Sequence, residues 1–173
     1  MDFFFNRYYA LELCTASLDK LFLSNEDNKK YRGPAPPAIE ILFQLASGLK
    51  YIHENKLVHS DLQPKNAFIW EDKCDKSKTV MKWADFGLNK QMRRKESRWL
   101  APEIRIGMEL KRPQGTFKSD IFAEGLTFAY ILLEGEHVYE KDIADNGSNM
   151  NKNNAINLKS KVFSYQLLTS IVE

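Results

Sequence analysis

Apolar positions recur with a helical period over one long stretch of the chain. Ile39, Leu42, Phe43, Ala46, Leu49 and Ile52 fall on one face, and Pro37 stands where a helix begins. The spacing predicts an amphipathic helix. A second run, Ile121 to Leu133, is almost wholly apolar and is led by Ser119 and Asp120. It predicts a buried central helix in which Asp120 either caps the start or holds neighbouring backbone. Val162, Phe163, Leu167 and Ile171 predict a last amphipathic helix, cut short by the chain end. Leu57 to His59 and Ala67 to Trp70 read as short strands around a tight loop, and Thr79 to Ala84 as a third, with Glu71 to Lys78 a charged turn. Phe3 to Leu13 mixes aromatic and branched residues without helical caps, which favours one or two strands, a buried helix start being the alternative. Ser17 precedes Leu18, Leu21 and Phe22 as the cap of a short helix, followed by a polar, proline-bearing break from Ser24 to Pro37. The Asn-rich stretch Asp142 to Asn157 is expected to be a loop.

Composition bounds what this pattern builds. A chain of 173 residues suits one cored domain rather than two, and 11 Phe, 7 Tyr and 3 Trp supply enough apolar surface to argue against disorder. The net charge of +2 gives no electrostatic case for a nucleic-acid or acidic-lipid binder. Cys14 and Cys74 match no metal spacing and read as reduced thiols. The longest apolar stretch, Leu126 to Leu133, is far short of the roughly 20 residues of a membrane helix. An acid, Asp2, stands where a signal peptide needs a base. A soluble, cytoplasmic chain with no membrane segment is expected.

The residues that carry chemistry form three groups: His59-Ser60-Asp61-Leu62-Gln63-Pro64-Lys65-Asn66, then Asp85-Phe86-Gly87, then Ala101-Pro102-Glu103. Taken singly, Asp61 is a turn-capping carboxylate and Asp85-Phe86-Gly87 an ordinary turn. Taken in this order, with a long amphipathic helix before and an Asp-led apolar helix after, they resemble the catalytic loop, metal-binding turn and activation-segment end of the eukaryotic protein kinases. Phosphoryl transfer needs positioning and charge neutralisation more than covalent help. The resemblance implies ATP and Mg²⁺, with Asp61 as the base that takes the hydroxyl proton and Asn66 and Asp85 as metal ligands. It gives His59 a structural place beside Phe86. His53 is expected to be a cap or surface group, and His137 carries no partner visible in the sequence.

The segment Tyr9-Ala10-Leu11-Glu12-Leu13-Cys14-Thr15-Ala16-Ser17-Leu18 resembles more narrowly the hinge of the inositol-requiring stress-sensor kinase/ribonuclease family of the endoplasmic reticulum. So do the helix entry Ser119-Asp120-Ile121-Phe122 and the insertion around Glu71 to Lys78. On that resemblance Leu11 is the gatekeeper, backbone groups of Glu12 and Cys14 meet the adenine edge, and Phe68 forms the floor under the base. The alternative is that Leu11 and Phe68 are simply core and strand residues. The implied fold is mainly α (α+β), a kinase-like C-terminal helical lobe with a hinge strand and short β-hairpins. Residues 1–16 would be the last strand of an N-terminal lobe and the hinge, and 17–173 a C-terminal lobe truncated at its end. The rest of the N-terminal lobe and the family's ribonuclease portion are expected to be absent. The implied partner is a protein substrate or the chain itself, a homodimer is one implied assembly, and nucleic acid is not expected. As part of a longer protein, the implied location is the cytosolic face of the endoplasmic-reticulum membrane.

Several positions depart from the kinase pattern. The eight glycines are scattered, Gly107 and Gly115 being the closest pair, so no glycine-rich phosphate loop is present. Binding of ATP is therefore expected only where an upstream lobe supplies that loop. Ser60 stands in place of an arginine, Gln63 of a lysine and Glu96 of a threonine; Lys65, two residues past Gln63, is the candidate substitute for the lost positive charge. Lys90, Arg93, Arg94, Lys95 and Arg98 form a solvated basic loop or, alternatively, an acidic-substrate or phosphate-docking patch. No arginine follows Arg112 to pair with Glu103, so its partner is expected beyond Glu173, or the loop is loosely held. Three functions remain: a Ser/Thr kinase lobe, a nucleotide-binding pseudokinase, and a partner-interaction domain without nucleotide.

Overall fold

The computed structural model describes residues 10–75, 78–85, 97–109 and 115–139. Helix α1 runs from Ala38 to Glu54, with Pro37 just before its first turn. The fixed φ of Pro37 and its carbonyl, which accepts the Glu40 and Ile41 N–H groups, start the helix. At the other end Lys56 takes a left-handed φ of 61°. Its N–H returns to the His53 carbonyl and that of Leu57 to the Ile52 carbonyl, which satisfies two orphan acceptors of the last turn.

The buried stripe of α1 is Ile41, Leu45, Leu49 and Ile52. The expected face is corrected here: Ile39 and Phe43 are 73% and 71% exposed. The helix is apolar over more of its circumference than one stripe needs. What selects the buried side is packing against a sheet on one flank and a second long helix on the other.

The sheet is antiparallel in the order β1 (Ala16–Ser17), β2 (Ala67–Glu71) and β3 (Thr79–Trp83). Ala67 pairs with Trp83 and Phe68 with Lys82, while Ser17 pairs with Phe68 on the other side. Strand alternation buries Ala67 and Ile69 of β2 with Thr79, Met81 and Trp83 of β3, and leaves Phe68 and Trp70 half-buried on the opposite face. Two ties fasten α1 to β3: Trp83 Nε1 donates to the Leu45 carbonyl at 3.0 Å, and the Met81 N–H donates to Gln44 Oε1 at 2.7 Å. One strand expectation fails. Leu57 to His59 is not a strand, because the His59 N–H goes to an aspartate side chain rather than to a ladder. Ala10 to Leu13 is irregular, and Phe3 to Tyr9 lie outside the described residues.

Ser17 does precede a short helix, a 3₁₀ turn over Leu18–Phe22, but its hydroxyl donates to Asp19 Oδ1 rather than capping backbone. Helix α2 spans Pro102–Glu109, with proline at its first position. Helix α3 spans Phe117–Leu132, and it starts earlier than the apolar run suggests. Thr116 and Ser119 form a reciprocal capping box there, which frees Asp120 for another task. Only one side of α3 is buried, and Ile121 is 56% exposed. The core joins Leu18, Leu45, Leu49, Leu62 and Ile69 with Ala123 and Ile131 of α3. The result is helices plus a small antiparallel sheet, as the α+β expectation has it. The predicted loop Asp142 to Asn157 and the helix around Val162 to Ile171 lie outside the described residues.

Candidate active site

The loop from His59 to Asn66 joins the end of α1 to β2, and its shape is set by one buried carboxylate. Asp120, 1% exposed, accepts the His59 N–H at 2.7 Å and the Ser60 N–H at 2.8 Å, and bonds His53 Nε2 at 3.0 Å. Of the two readings of Asp120, the structure selects the one that holds backbone. His53 is thereby corrected: it is half-buried and joins the loop's anchor rather than standing as a cap or surface group. Ser60 is left-handed, with φ 64°, and Gly115 lies so close that a Cβ there would collide with the Ser60 hydroxyl. Backbone held in a sparsely populated region needs such over-determination, and it concentrates at functional loops.

His59 is 1% exposed; its Nδ1 accepts the Asp61 N–H at 3.2 Å and its ring meets Trp83 edge to face. It is structural, as expected, although Phe86 lies outside the described residues. Asp61 is only partly buried. Its Oδ1 accepts from Gln63 Nε2 at 3.2 Å, so the residue standing in place of a lysine supplies a neutral donor to the carboxylate. Lys65 is exposed on the following 3₁₀ turn, Pro64–Asn66.

Asn66 links the two halves of the site. Its Nδ2 donates to the Asp61 carbonyl at 2.8 Å, and its own carbonyl accepts the Ala84 N–H at 2.9 Å. The Ala67–Trp83 register therefore brings Asp61, Asn66 and Asp85 to one end of the β2–β3 hairpin. Asp85 is exposed and left-handed, with φ 62°. With the amide nitrogen of Asn66 committed to the loop, its amide oxygen and the Asp85 carboxylate are hard oxygen donors at this end of the hairpin. That set fits Mg²⁺, which takes one or two protein oxygens and completes its shell with phosphate and water.

Along the half-exposed face of the sheet, Phe68 lies beside Lys82 in register. Lys82 Nζ stands 4.7 Å over the Trp70 ring and forms an ion pair with Glu12 at 2.5 Å. The Thr15 N–H donates to the Ile69 carbonyl at 2.8 Å, which ties the segment holding Glu12 and Cys14 along β2. Cys14 is partly buried; its thiol is pushed up first by burial and next by Glu12, with Lys82 opposing. Leu11 is 70% exposed and encloses nothing among the described residues.

His137 does have a partner: buried, it accepts the Tyr139 N–H at 3.1 Å and packs edge to face on Trp99. Glu103 is exposed. Glu96 and the basic residues Lys90 to Lys95 lie outside the described residues; Arg98 lies 6.0 Å over the Trp99 ring. The His53–Asp120 bond, the Gln63–Asp61 bond and the Glu12–Lys82 pair are contacts that local spacing does not encode. The only hint in the sequence was an acid, Asp120, at the mouth of an apolar helix.

Residues 5–171 match the family model described as protein kinase domain. The chain is 26% identical over 181 residues to serine/threonine-protein kinase/endoribonuclease ire-1 of Caenorhabditis elegans, covering 96% of this chain and 18% of that protein. It is 35% identical over 146 residues to serine/threonine-protein kinase/endoribonuclease IRE2 of Homo sapiens, covering 76% of this chain and 15% of that protein. It is also 36% identical over 137 residues to Wee1-like protein kinase 2-C of Xenopus laevis, covering 68% and 24%. That last likeness has no counterpart in the motif reading. The chain spans less than a quarter of the length of these relatives.

Proposed function

The chain belongs to the protein kinase domain family, and on that premise we propose that it forms the hinge and C-terminal lobe of a Ser/Thr protein kinase site. In this reading residues 1–16 are the last strand of an N-terminal lobe and the hinge, and 17–173 the C-terminal lobe. The observation that carries the proposal is the double hydrogen bond of Asn66, to the Asp61 carbonyl on one side and from the Ala84 N–H on the other. It supports a single centre built from Asp61, Asn66 and Asp85.

In that centre the Asp61 carboxylate orients a protein hydroxyl and accepts its proton as the hydroxyl oxygen attacks the terminal phosphorus of ATP. The bond from that phosphorus to the bridging oxygen breaks, and ADP leaves with the electron pair. Asn66 and Asp85 would hold Mg²⁺, which when bound supplies neutralising charge on the phosphates. Phe68 would lie under the base, the Glu12 and Cys14 backbone would face its edge, and Leu11 would stand at the gatekeeper position. The Glu12–Lys82 pair supports this reading by pinning the hinge segment to β3. The sequence holds no glycine-rich phosphate loop, so turnover requires one supplied by an adjoining lobe. Protein substrates, or the chain itself, follow from the family. Likeness to the two kinase/endoribonucleases supports a cytosolic setting at the endoplasmic reticulum within a longer protein, with a homodimer as one assembly.

A second reading, a nucleotide-binding pseudokinase, is favoured by one observation: Gln63 holds Asp61 with a neutral amide, and no lysine stands at that position. One experiment separates the two. Joined to an upstream kinase lobe carrying the phosphate loop and strand lysine, the chain is assayed for phosphate incorporation beside its Asp61→Asn variant. A kinase loses about 10²–10⁴-fold with that substitution. Equal incorporation removes Asp61 as the base. Absent turnover in the parent that Gln63→Lys restores assigns the pseudokinase.

A further inference from the structure

A cleft of about 410 Å³ opens between the second half of α1 and α3, apart from the centre built by Asp61, Asn66 and Asp85. Ala46 and Leu49 of α1 and Ile121 of α3 give it apolar walls, and Lys50, Glu54 and Lys56 stand around it. Glu124 of α3 also lines it. This side chain is 8% exposed, its Oε1 is shut off from water, and among the described residues that oxygen has no hydrogen-bond partner. A buried carboxylate without a partner is expensive, and the cases that persist have a reason.

The neighbours that would ordinarily relieve Glu124 are committed elsewhere. His53 bonds Asp120, the Thr127 hydroxyl donates to the Ala123 carbonyl, and Lys50 lies 3.8 Å from Glu54 in an exposed pair. Burial and the charge of Asp120 push the Glu124 carboxyl up to about 7. The groups facing it are Asp120 on its own helix, His53, Lys50 and Glu54 on α1, and Lys56 just beyond α1. Lys50 is matched by Glu54, and Glu124 Oε1 is left without a hydrogen-bond partner among the described residues.

We propose that this cleft binds an organic cation, a guanidinium or ammonium group on an apolar stem, with Glu124 as its counter-ion. The apolar walls take the stem, and a few converging polar groups at the bottom of an apolar cleft are the usual form of a small-ligand site. A charge-assisted bond to a desolvated carboxylate supplies the specificity. The same head group arrives either on a free amine or guanidine or on an arginine side chain.

The full chain is titrated with n-butylguanidinium, with its neutral isostere n-butylurea and with N-acetylarginine amide, following the Glu124 carboxyl resonance. Saturable binding of the guanidinium is expected, weakened about ten-fold or more in Glu124→Gln and for the urea. Binding should weaken about ten-fold between about pH 8 and about pH 6, because protonation removes the charge that holds the cation. Tighter binding of the arginine amide than of n-butylguanidinium assigns a peptide source, and the reverse a free cation. Ile121→Trp, which fills the cleft from an exposed wall, should block the probe while leaving Glu124 in place. Absence of saturable binding, equal binding by Glu124→Gln, or unchanged binding by Ile121→Trp overturns the proposal. So does a Glu124 carboxyl that titrates within or below the ordinary carboxylate range before any probe is added, which would mean that a cation of the chain already sits there.

Discussion

A single side chain, Asp120, decides whether the loop around Asp61 has a shape. It takes two backbone N–H groups and a histidine nitrogen while itself almost wholly buried, so its removal strands donors as well as deleting bonds. Asp120→Ala is expected to lower stability by about 3–5 kcal/mol, and Asp120→Asn, which keeps one acceptor oxygen, by roughly half as much. Denaturant unfolding should show the midpoint fall without a change of slope. A loss below about 1 kcal/mol in Asp120→Ala would mean that the loop is held by something else. Local reading reached the two options for Asp120 but not the choice between them. The deciding fact is that Thr116 and Ser119 already cap α3, a pairing that lies just before the apolar run. His53 was misassigned for a related reason: its partner is 67 residues away, and no local period encodes that distance.

At the scale of elements, α1 was legible in existence and extent but not in orientation. The predicted stripe shares Leu49 and Ile52 with the observed one, yet places Ile39 and Phe43 inside and omits Ile41 and Leu45. A helix with apolar residues over much of its circumference has several stripes to offer, and tertiary contacts choose among them. Gln44 exposes the choice. Its amide oxygen accepts the Met81 N–H of β3, a polar contact that stands in for a further strand at the sheet edge. Gln44→Ala should destabilise the chain by about 1–3 kcal/mol through the stranded strand amide, whereas Ile39→Ser and Phe43→Ser should stay within about 0.5 kcal/mol. Thermal unfolding of the three variants checks this. A larger loss at Phe43 than at Gln44 would reverse the assignment of faces. The β2–β3 hairpin, in contrast, was legible almost to its ends. Alternation of apolar residues sets which side is buried, and a one-residue slip would turn Phe68 into the core.

For the whole molecule, the order of three short motifs along the chain carried more information than any composition figure. Each is a common turn in isolation, and the fold brings the first together with the start of the second: the His59–Asn66 loop enters β2 at Asn66, β3 ends beside it, and Asp85 follows. The departures at Ser60 and Gln63 are equally concrete, since both lie within this loop and Gln63 bonds Asp61 itself. The claim that these residues form a nucleotide and metal centre is tested most directly by calorimetry of ATP binding, with and without Mg²⁺, on the chain joined to an upstream kinase lobe. The prediction is Mg²⁺-dependent binding that falls at least about ten-fold in Asp85→Asn and in Asn66→Ala, as expected when hard oxygen ligands are withdrawn. ATP binding that ignores Mg²⁺ and survives both substitutions unchanged would contradict it.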